Sequence, residues 1–225
     1  MVEMLDSFAG KLIISCQAPA DSPLHQPEMI AAIAQACVNQ GAVAVRIDSP
    51  AHIKAVRNLL PDIPIIGLWK RMYEGSDVYI TPQLSDALAV VKAGADIVAI
   101  DATARPRHGG ENLADLIQGI HEQTGKLVMA DLDTYDNAVL AAKAGADILG
   151  TTLYGYTGET ESLMPPGFDL LAKLVQDFEL PVICEGGIGS PEMMKKALEI
   201  GADSVVVGTA ITGVDLLAQR FIQAL

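Results

Sequence analysis

One short phrase recurs four times along the chain and constrains the fold more than any other feature. It reads QGAVAVRID at 40–48, AGADIVAID at 93–101, AGADILGTT at 144–152 and IGADSVVVGT at 200–209. Successive copies lie about 50 residues apart, a spacing typical of a repeated structural unit. Each copy joins a glycine suited to the end of a helix to an apolar run suited to a buried strand.

Four further apolar runs lie between these copies. They are KLIISCQ at 11–17, IPIIGLWK at 63–70, KLVMADLD at 126–133 and LPVICEG at 180–186. Amphipathic patterns predict a helix after each of the eight strands, at 27–39, 51–60, 83–92, 112–123, 134–143, 167–178, 191–199 and 214–224. The chain therefore consists of eight successive strand–helix units.

Residues that favour helix ends agree with these units. Three hydroxyl residues suited to an N-cap each precede a proline suited to the first helical turn: Ser49-Pro50, Thr81-Pro82 and Ser190-Pro191. A glycine follows four of the predicted helices, as C′ glycines do: Gly41, Gly94, Gly145 and Gly201.

The predicted strands are apolar almost throughout, which indicates burial on both faces. Such strands form parallel sheets covered by helices. Eight units fit either an open, doubly wound sheet or a closed barrel. Four similar pairs of units in 225 residues favour a (β/α)8 TIM barrel, as a single domain over residues 1–225.

Composition limits the partners and the location. A net charge of −13 with no block of Lys or Arg argues against nucleic acid and against an anionic membrane as partners. No basic leader and no run of 18 apolar residues are present, so we expect neither export nor a membrane span. The three cysteines are far apart and odd in number, which predicts reduced thiols in a cytoplasmic protein: Cys16, Cys37 and Cys184.

The histidines give no indication of a metal site. None of them shows ligand spacing with another histidine or a cysteine: His25, His52, His108 and His121. We therefore expect no bound metal.

Polar residues gather where the predicted strands end, and in a (β/α)8 barrel these ends form the active site. Side-chain alternation places Lys70 on the face of Leu68, and Glu185 on the face of Ile183, so both can point into the barrel mouth. The strand ends carry Gln17, Arg46, Asp48, Lys70, Arg71, Asp101, Asp131, Thr151, Thr152, Glu185, Gly208 and Thr209.

Several of these residues also have a purely structural interpretation. Asp48 and Asp101 fit equally well as caps of the following loop or helix, and Gln17 and Thr152 as ordinary rim residues. Lys70 could extend to solvent from the rim. For Glu185, the glycine pair directly behind it favours a functional role.

Two glycine-rich turns follow the seventh and eighth strands, EGGIG at 185–189 and VGTAIT at 207–212. In this fold these two loops commonly form a phosphate site. Glycine lets backbone N–H groups approach an anion closely. We therefore predict phosphate binding by Gly186, Gly187, Gly208 and Thr209.

The third and seventh strands lie opposite one another in a ring of eight, so Lys70 and Glu185 would face each other across the mouth. An acid and a base on opposite faces of one carbon can remove a proton from one side and return it to the other, which is epimerisation. The carbon must lie beside a carbonyl, and Arg46 and Gln17 could donate to the enolate oxygen. Asp131 could hold a substrate hydroxyl or orient Lys70.

Nine motifs spread along essentially the whole chain carry a family resemblance. They are LIISCQA at 12–18, VRIDS at 45–49, WKR at 69–71, ITP at 80–82, DATARPR at 101–107, MADLDT at 129–134, GTTLYGYT at 150–157, CEGGI at 184–188 and VVGTAIT at 206–212. Together they resemble the bacterial N-acetylmannosamine-6-phosphate 2-epimerases, with SCQA, DAT-x-R and TT-x-x-GYT the most specific.

The resemblance implies a cytoplasmic enzyme of sialic-acid breakdown that interconverts N-acetylmannosamine 6-phosphate and N-acetylglucosamine 6-phosphate. It implies no metal or redox cofactor and a homodimer. Lys70 and Glu185 would be the proton-transfer pair, and Gln17, Arg46 and Asp131 substrate contacts. From GTTLYGYT we add Thr152 and Tyr156 as substrate-binding candidates.

Two positions depart from the family's pattern. Met72 stands where an acidic residue is expected after KR, and Gly213 stands where a basic residue often follows AIT. With Gly213, the phosphate would have to be bound by backbone donors.

Two other functions remain open on the sequence. One is a different phosphosugar barrel, either an isomerase or an aldolase in which Lys70 attacks the carbonyl to form a Schiff base. The other is a catalytically silent phosphosugar sensor, which would keep the glycine turns but would not need Lys70 and Glu185. Borohydride would trap the aldolase through its lysine and would not trap an epimerase.

Overall fold

Eight parallel strands close into a barrel. The computed structural model describes the backbone of residues 2–225 and the side chains of residues 4–225. The strands are β1 Lys11–Cys16, β2 Ala44–Asp48, β3 Ile65–Leu68, β4 Ile97–Asp101, β5 Leu127–Asp131, β6 Ile148–Gly150, β7 Val182–Glu185 and β8 Ser204–Val207. Each pairs with its neighbours in sequence, and β8 closes on β1. The predicted (β/α)8 barrel is confirmed, and the open sheet is wrong.

Helices connect the strands. They are α1 Val2–Asp6, α2 Pro27–Asn39, α3 Pro50–Leu59, α4 Leu84–Ala93, α5 Leu113–Thr124, α6 Tyr135–Ala144, α7 Phe168–Asp177, α8 Pro191–Ile200, α9 Thr209–Thr212 and α10 Val214–Ile222, with a 3₁₀ turn at His108–Gly110. Helices α2 to α8 and α10 are the eight predicted ones. Helices α1 and α9 have five and four residues, too few to show a periodic pattern.

Most of the predicted helix ends are confirmed. The hydroxyls of Ser49 and Ser190 accept the N–H groups of His52 and Met193 at the starts of α3 and α8. The glycines after the helices all have the positive φ that favours this residue: Gly41, Gly94, Gly145 and Gly201.

The prediction that Thr81 caps a helix is wrong. The N-cap of α4 is Gln83, two residues later. The hydroxyl of Thr81 is buried, donates to the carbonyl of Ala99 (2.7 Å) and accepts the N–H of Trp69 (3.0 Å). Thr81 therefore ties the segment after β3 to β4 instead of starting a helix.

The aspartate of the repeated phrase explains why the phrase recurs. In three copies its carboxylate accepts a backbone N–H from the start of the preceding strand, and its own N–H donates to the carbonyl of that same residue. The pairs are Asp96 with Ile65 (3.0 and 2.9 Å), Asp147 with Val128 (2.7 and 3.0 Å) and Asp203 with Val182 (2.7 and 2.9 Å). In the first copy Val43 replaces the aspartate and keeps only the backbone bond, to Leu12 (3.1 Å). Each aspartate fixes the register of one strand pair.

Alternation along the strands separates the barrel interior from the layer under the helices. The interior is filled by Phe8, Ile13, Ala44, Ile66, Leu68, Ile80, Ile97, Ala99, Leu127, Met129, Ile148, Leu153, Ile183 and Val206. With a period of two, the next interior positions towards the strand ends include Arg46, Asp131 and Glu185. The barrel interior thus changes from apolar to charged at its C-terminal end.

Helix α10 packs differently from α2 to α9, each of which buries at least one residue. None of its residues is buried, and it exposes large apolar side chains, including Phe221 with 78% of its surface accessible. No helix in the described part of the chain is both long and apolar enough to cross a lipid bilayer.

Candidate active site

A cavity of about 420 Å³ opens at the C-terminal end of the barrel. It brings together ten of the eleven predicted site residues: Gln17, Arg46, Lys70, Thr152, Tyr156, Glu185, Gly186, Gly187, Gly208 and Thr209. The eleventh, Asp131, is fully buried and does not line it. Gly213 also lines the wall, whereas Met72 lies outside, with a largely exposed side chain.

Arg46 is the centre of a buried charge network at the floor of this cavity. Only 1% of the residue is exposed. Its guanidinium donates two hydrogen bonds to Asp131, at 3.1 and 2.6 Å, and its Nη1 lies 3.1 Å from Oε2 of Glu185. Burial disfavours the charge, but the two carboxylates outweigh it and hold the pKa of Arg46 above its ordinary value. The Nε of Arg46 is buried with no hydrogen-bond partner among the described residues.

Thr152 joins the two carboxylates of this network. Its hydroxyl lies 2.6 Å from Oδ1 of Asp131 and 3.3 Å from Oε2 of Glu185. A hydroxyl has one proton to donate, and the shorter distance assigns it to Asp131. Asp131 therefore has both oxygens bonded from within the protein and lies behind Arg46, away from the cavity.

Glu185 lies at the end of β7 and is buried apart from the side facing the cavity. The hydroxyl of Thr151 donates to its carbonyl (2.9 Å) and accepts its N–H (3.1 Å), which fixes the backbone. Burial raises the pKa of Glu185 to about 7, with a contribution from Asp131, while Arg46 and Lys70 oppose the increase. A carboxyl group with such a pKa can give or take a proton near neutral pH.

Lys70 enters the cavity from a short antiparallel segment after β3. It forms a bridge with Ile80, and its backbone N–H donates to Oδ1 of Asp48 (2.9 Å). Its Nζ donates to Oε1 of Gln17 (2.5 Å), and the amide of Gln17 is held in turn by Ser15 (2.9 Å). The amine is therefore held by the side chain of Gln17, which directly follows β1.

The protonation of Lys70 depends on its surroundings. The side chain is accessible from the open mouth, but the barrel walls remove part of the solvent around the amine. This desolvation lowers the pKa of Lys70, Arg46 lowers it further, and Asp48 and Glu185 oppose the decrease. The pKa of Lys70 is thus lowered towards the range useful for proton transfer.

Gly186, Gly187 and Gly208 form another part of the cavity wall, called the glycine wall below. Gly186 and Gly187 have φ of +97° and +70°, and a Cβ at Gly187 would come within 2.7 Å of Pro165. Gly208 precedes α9, which is tied to β1 by a hydrogen bond from Thr212 to the carbonyl of Ser15 (2.8 Å). Within the described chain the backbone N–H groups of Gly187, Gly208 and Thr209 donate to no other group.

The DATARPR motif lies outside the cavity. Asp101 accepts both the N–H and the hydroxyl of Thr103 and pairs with Arg105 (2.5 Å). Arg107 is buried and donates to the carbonyls of Asp101 and Pro82. Of the two roles open for Asp101, loop capping is therefore the one observed.

Sequence reasoning missed Tyr79 and Ser15, which line the cavity. Ser15 is an interior position of β1, two residues before Gln17, and the period of two could have found it. Tyr79 lies in the irregular segment between β3 and α4, where no periodicity applies.

The described residues contain no group of three or more His, Cys, Asp or Glu side chains arranged to hold a metal ion. The three cysteines are free thiols.

Comparisons with known proteins give one consistent family. Residues 30–225 match the family described as "Putative N-acetylmannosamine-6-phosphate epimerase". Relatives named "Putative N-acetylmannosamine-6-phosphate 2-epimerase" include one from Synechococcus elongatus, 56% identical over 99% of this chain and 97% of the relative. Another, from Clostridioides difficile, is 42% identical over 99% of both. The solved N-acetylmannosamine-6-phosphate 2-epimerase of Clostridium perfringens superposes with a TM-score of 0.94 at 41% identity, covering 99% of this chain and 96% of that one.

Proposed function

Because the chain belongs to the N-acetylmannosamine-6-phosphate 2-epimerase family, we propose that its barrel mouth interconverts N-acetylmannosamine 6-phosphate and N-acetylglucosamine 6-phosphate by moving a proton at C2. One observation supports this most strongly. An amine and a carboxyl group, Lys70 just after β3 and Glu185 at the end of β7, line one cavity, and both have pKa values displaced towards neutrality.

The reaction needs an acidic C2–H, which the open-chain sugar has because C2 adjoins the C1 aldehyde. One of the two groups takes the proton and the C2–H electron pair moves into the enolate. The other then delivers a proton to the opposite face of C2, and the carbonyl re-forms. The configuration at C2 inverts, and the two groups exchange roles in the reverse direction.

Negative charge develops on the C1 oxygen during this transfer, and a donor must meet it. Arg46 lines the cavity and would meet this charge, because Asp131 and Glu185 keep its guanidinium positively charged. Gln17 aims the amine of Lys70 through its Oε1. Thr152 and Tyr156 line the same cavity and would contact the sugar. We assign Asp131 to holding Arg46 in place instead of touching the substrate, because both its oxygens are already bonded.

The phosphate would bind at the glycine wall. Gly186, Gly187, Gly208 and Thr209 present backbone to the cavity, and the only cationic side chains among the described residues that line it are Arg46 and Lys70. Backbone N–H groups are good anion ligands where no Cβ intervenes. This wall would therefore anchor the 6-phosphate and leave the two charged side chains for C2.

Proton NMR in deuterated water tests the function directly. With N-acetylmannosamine 6-phosphate, we expect N-acetylglucosamine 6-phosphate to appear with deuterium at C2. Product with protium at C2 would contradict exchange through protein side chains. Enzyme treated with borohydride in the presence of substrate, and then freed of both, should keep its activity, because no Schiff base forms on Lys70.

We further infer that the reaction needs no cofactor. Lys70 and Glu185 would provide the acid and the base at C2, and Arg46 the positive charge for the C1 oxygen, without a metal. Activity should persist after exhaustive treatment with EDTA, and a loss that a divalent cation restores would contradict this.

The remaining inferences follow from the family and concern the setting of the enzyme. A phosphorylated amino sugar as substrate and three free thiols fit a cytoplasmic enzyme of sialic-acid breakdown. We also infer a homodimer, since the exposed apolar side chains of α10 need cover. Analytical ultracentrifugation of wild type and Phe221→Asp would show whether a dimer forms and whether α10 takes part.

A further inference from the structure

We infer that Asp48 is a positioning residue for Lys70, which fixes the backbone where Lys70 leaves β3 and places a negative charge beside its amine. This inference rests on the proposed role of Lys70 in proton transfer. It concerns an aspartate for which the sequence leaves open a simple capping role.

The geometry that carries the inference is the contact between the ends of β2 and β3. Asp48 pairs with Leu68 in the sheet, and its Oδ1 accepts the N–H of Lys70 at 2.9 Å. The next residue, Ser49, donates its N–H to the carbonyl of Leu68 at 2.8 Å. The carboxylate thus caps the neighbouring strand at the residue whose side chain enters the active site, instead of its own loop.

A second cavity lies behind this contact. Its volume is about 390 Å³, and it is lined by Asp48 together with His25, Trp69, Gln17 and Lys70. Gln17 and Lys70 also line the main cavity, so Asp48 faces the lysine from the side away from the substrate. Asp48 therefore acts on the substrate only through Lys70.

Two imidazoles surround Asp48. From α3, Nδ1 of His52 lies 2.9 Å from the carbonyl of Asp48 and 3.1 Å from the hydroxyl of Ser49. From the segment between β1 and α2, His25 packs edge-on against His52, with ring centroids 4.6 Å apart, and its Nδ1 lies 3.0 Å from the carbonyl of Ala18.

Burial raises the pKa of Asp48, whereas the backbone N–H and the amine of Lys70 and the two imidazoles oppose the increase.

Three charges other than Asp48 itself enter this electrostatic balance at Lys70. Arg46 faces the amine from β2, Asp131 from β5 and Glu185 from β7, and of these Arg46 alone favours the neutral amine. Asp48 is the largest of the influences that favour the ammonium. Removing its charge should therefore make Lys70 lose its proton at lower pH.

The test is Asp48→Asn, which keeps an oxygen that can accept the N–H of Lys70 and removes the charge. Trace labelling with acetic anhydride across a pH series, with the Lys70 peptide quantified by mass spectrometry, gives the titration of this amine without relying on catalysis. We expect the titration of Lys70 to move to lower pH. Asp96→Asn is the matched control, because Asp96 also accepts a strand N–H but lies at the other end of the barrel; there the titration of Lys70 should not move.

A second variant separates charge from hydrogen bonding. Asp48→Glu keeps the charge but displaces the carboxylate, so the titration of Lys70 should stay nearer to wild type than in Asp48→Asn, while kcat falls. An unmoved titration in Asp48→Asn, or an equal displacement in both variants, overturns the inference.

The kinetic arm tests the proposed function separately. In Asp48→Asn the limb of the kcat/KM profile that reports Lys70 should move to lower pH together with the labelling curve. If the labelling titration of Lys70 moves to lower pH while the kcat/KM profile does not, the positioning role of Asp48 is supported and Lys70 is not the acid–base group.

Discussion

Arg46 reaches Glu185 across the floor of the barrel mouth, with its Nη1 3.1 Å from Oε2 of the carboxylate. The contact does not cancel the cost of burial, because Arg46 divides its charge between Glu185 and Asp131, which it holds at 2.6 Å. Glu185 is left with a pKa raised to about 7, whereas an ordinary glutamate titrates near 4.3. Glu185 is therefore partly protonated near neutral pH, which affects both stability and catalysis.

The first prediction concerns stability against pH. The folded protein holds the proton of Glu185 more tightly than the unfolded chain does, so the stabilisation from this group is complete below the unfolded pKa. It is lost as pH rises through about 7. Glutamine does not titrate, so Glu185→Gln does not lose this stabilisation as pH rises. Its melting temperature relative to wild type should therefore rise between pH 5 and pH 7.5, and a difference that stays constant would contradict the raised pKa.

The second prediction concerns Arg46. In Arg46→Met the buried carboxylate of Asp131 loses its counter-charge, and breaking such a pair costs about 3–5 kcal/mol of unfolding free energy. Urea denaturation measures the loss. Arg105→Met is the control, because Arg105 also pairs with a buried aspartate, Asp101, but is itself partly exposed, so it should lose less. Adding Asp131→Leu to Arg46→Met should recover part of the stability.

Most of the fold could be predicted from the sequence because it depends on local patterns. Apolar runs, helix periodicity and the glycines after helices all act within a few residues of one another. The exceptions are contacts between distant segments. Thr81 resembles an N-cap but bonds to β4, and Asp48 resembles a cap but holds the N–H of Lys70, just after the neighbouring strand.

The site was predicted in a similar way, and with a similar gap. Strand alternation predicts that Lys70 and Glu185 face the mouth, and the strand ends, the glycine turns and the family resemblance add the other predicted residues. None of these signals distinguishes a residue that lines the cavity from one beneath it. Asp131 and Glu185 both end strands and both face inwards, yet Asp131 is covered by Arg46 and Glu185 is not. How deep a side chain lies in the barrel depends on the relative stagger of all eight strands, which cannot be predicted from the sequence of one strand.

The third prediction tests the aspartate of the repeat. Asp203→Ala removes the acceptor for the N–H of Val182 at the start of β7, a loss of about 0.5–1.5 kcal/mol in unfolding free energy. Activity at saturating substrate should be unchanged, because the contact lies at the end of the barrel away from the cavity. Asp62→Ala, at an exposed position, is the control and should leave the unfolding free energy unchanged. Equal stability of the two variants would show that this bond does not hold the strand pair.

The fourth prediction concerns the glycine wall as the proposed phosphate site. In Gly208→Ala the new Cβ would lie 3.3 Å from Cβ of Ser15, so this part of the wall must shift relative to the anion. KM for the 6-phosphate should rise about tenfold or more, corresponding to a loss of about 1.4 kcal/mol or more in binding, with a smaller change in kcat. Gly158→Ala, where a Cβ meets nothing within 4 Å, is the control. If wild type turns over unphosphorylated N-acetylmannosamine equally well, the wall does not bind phosphate.

The last prediction concerns Glu185 and Lys70 together. If they serve opposite faces of C2, each can still remove the proton of the epimer that presents its C2–H to it. A phosphate bound at Gly186 and Gly187, as proposed, would keep the sugar from turning over between them. Glu185→Gln and Lys70→Ala should each slow interconversion by about 10²–10⁴-fold, the usual loss for a general acid–base group. Each variant should still exchange the C2 proton of one epimer with deuterated water, and the exchanging epimer should differ between the two variants.

Lys126→Ala is the control, because Lys126 pairs with Asp96 away from the cavity, and this variant should behave as wild type. Proton NMR of each pure epimer with each variant measures both quantities. Exchange into the same epimer in both variants, or Glu185→Gln working at the wild-type rate, would show that one residue handles the proton on both faces.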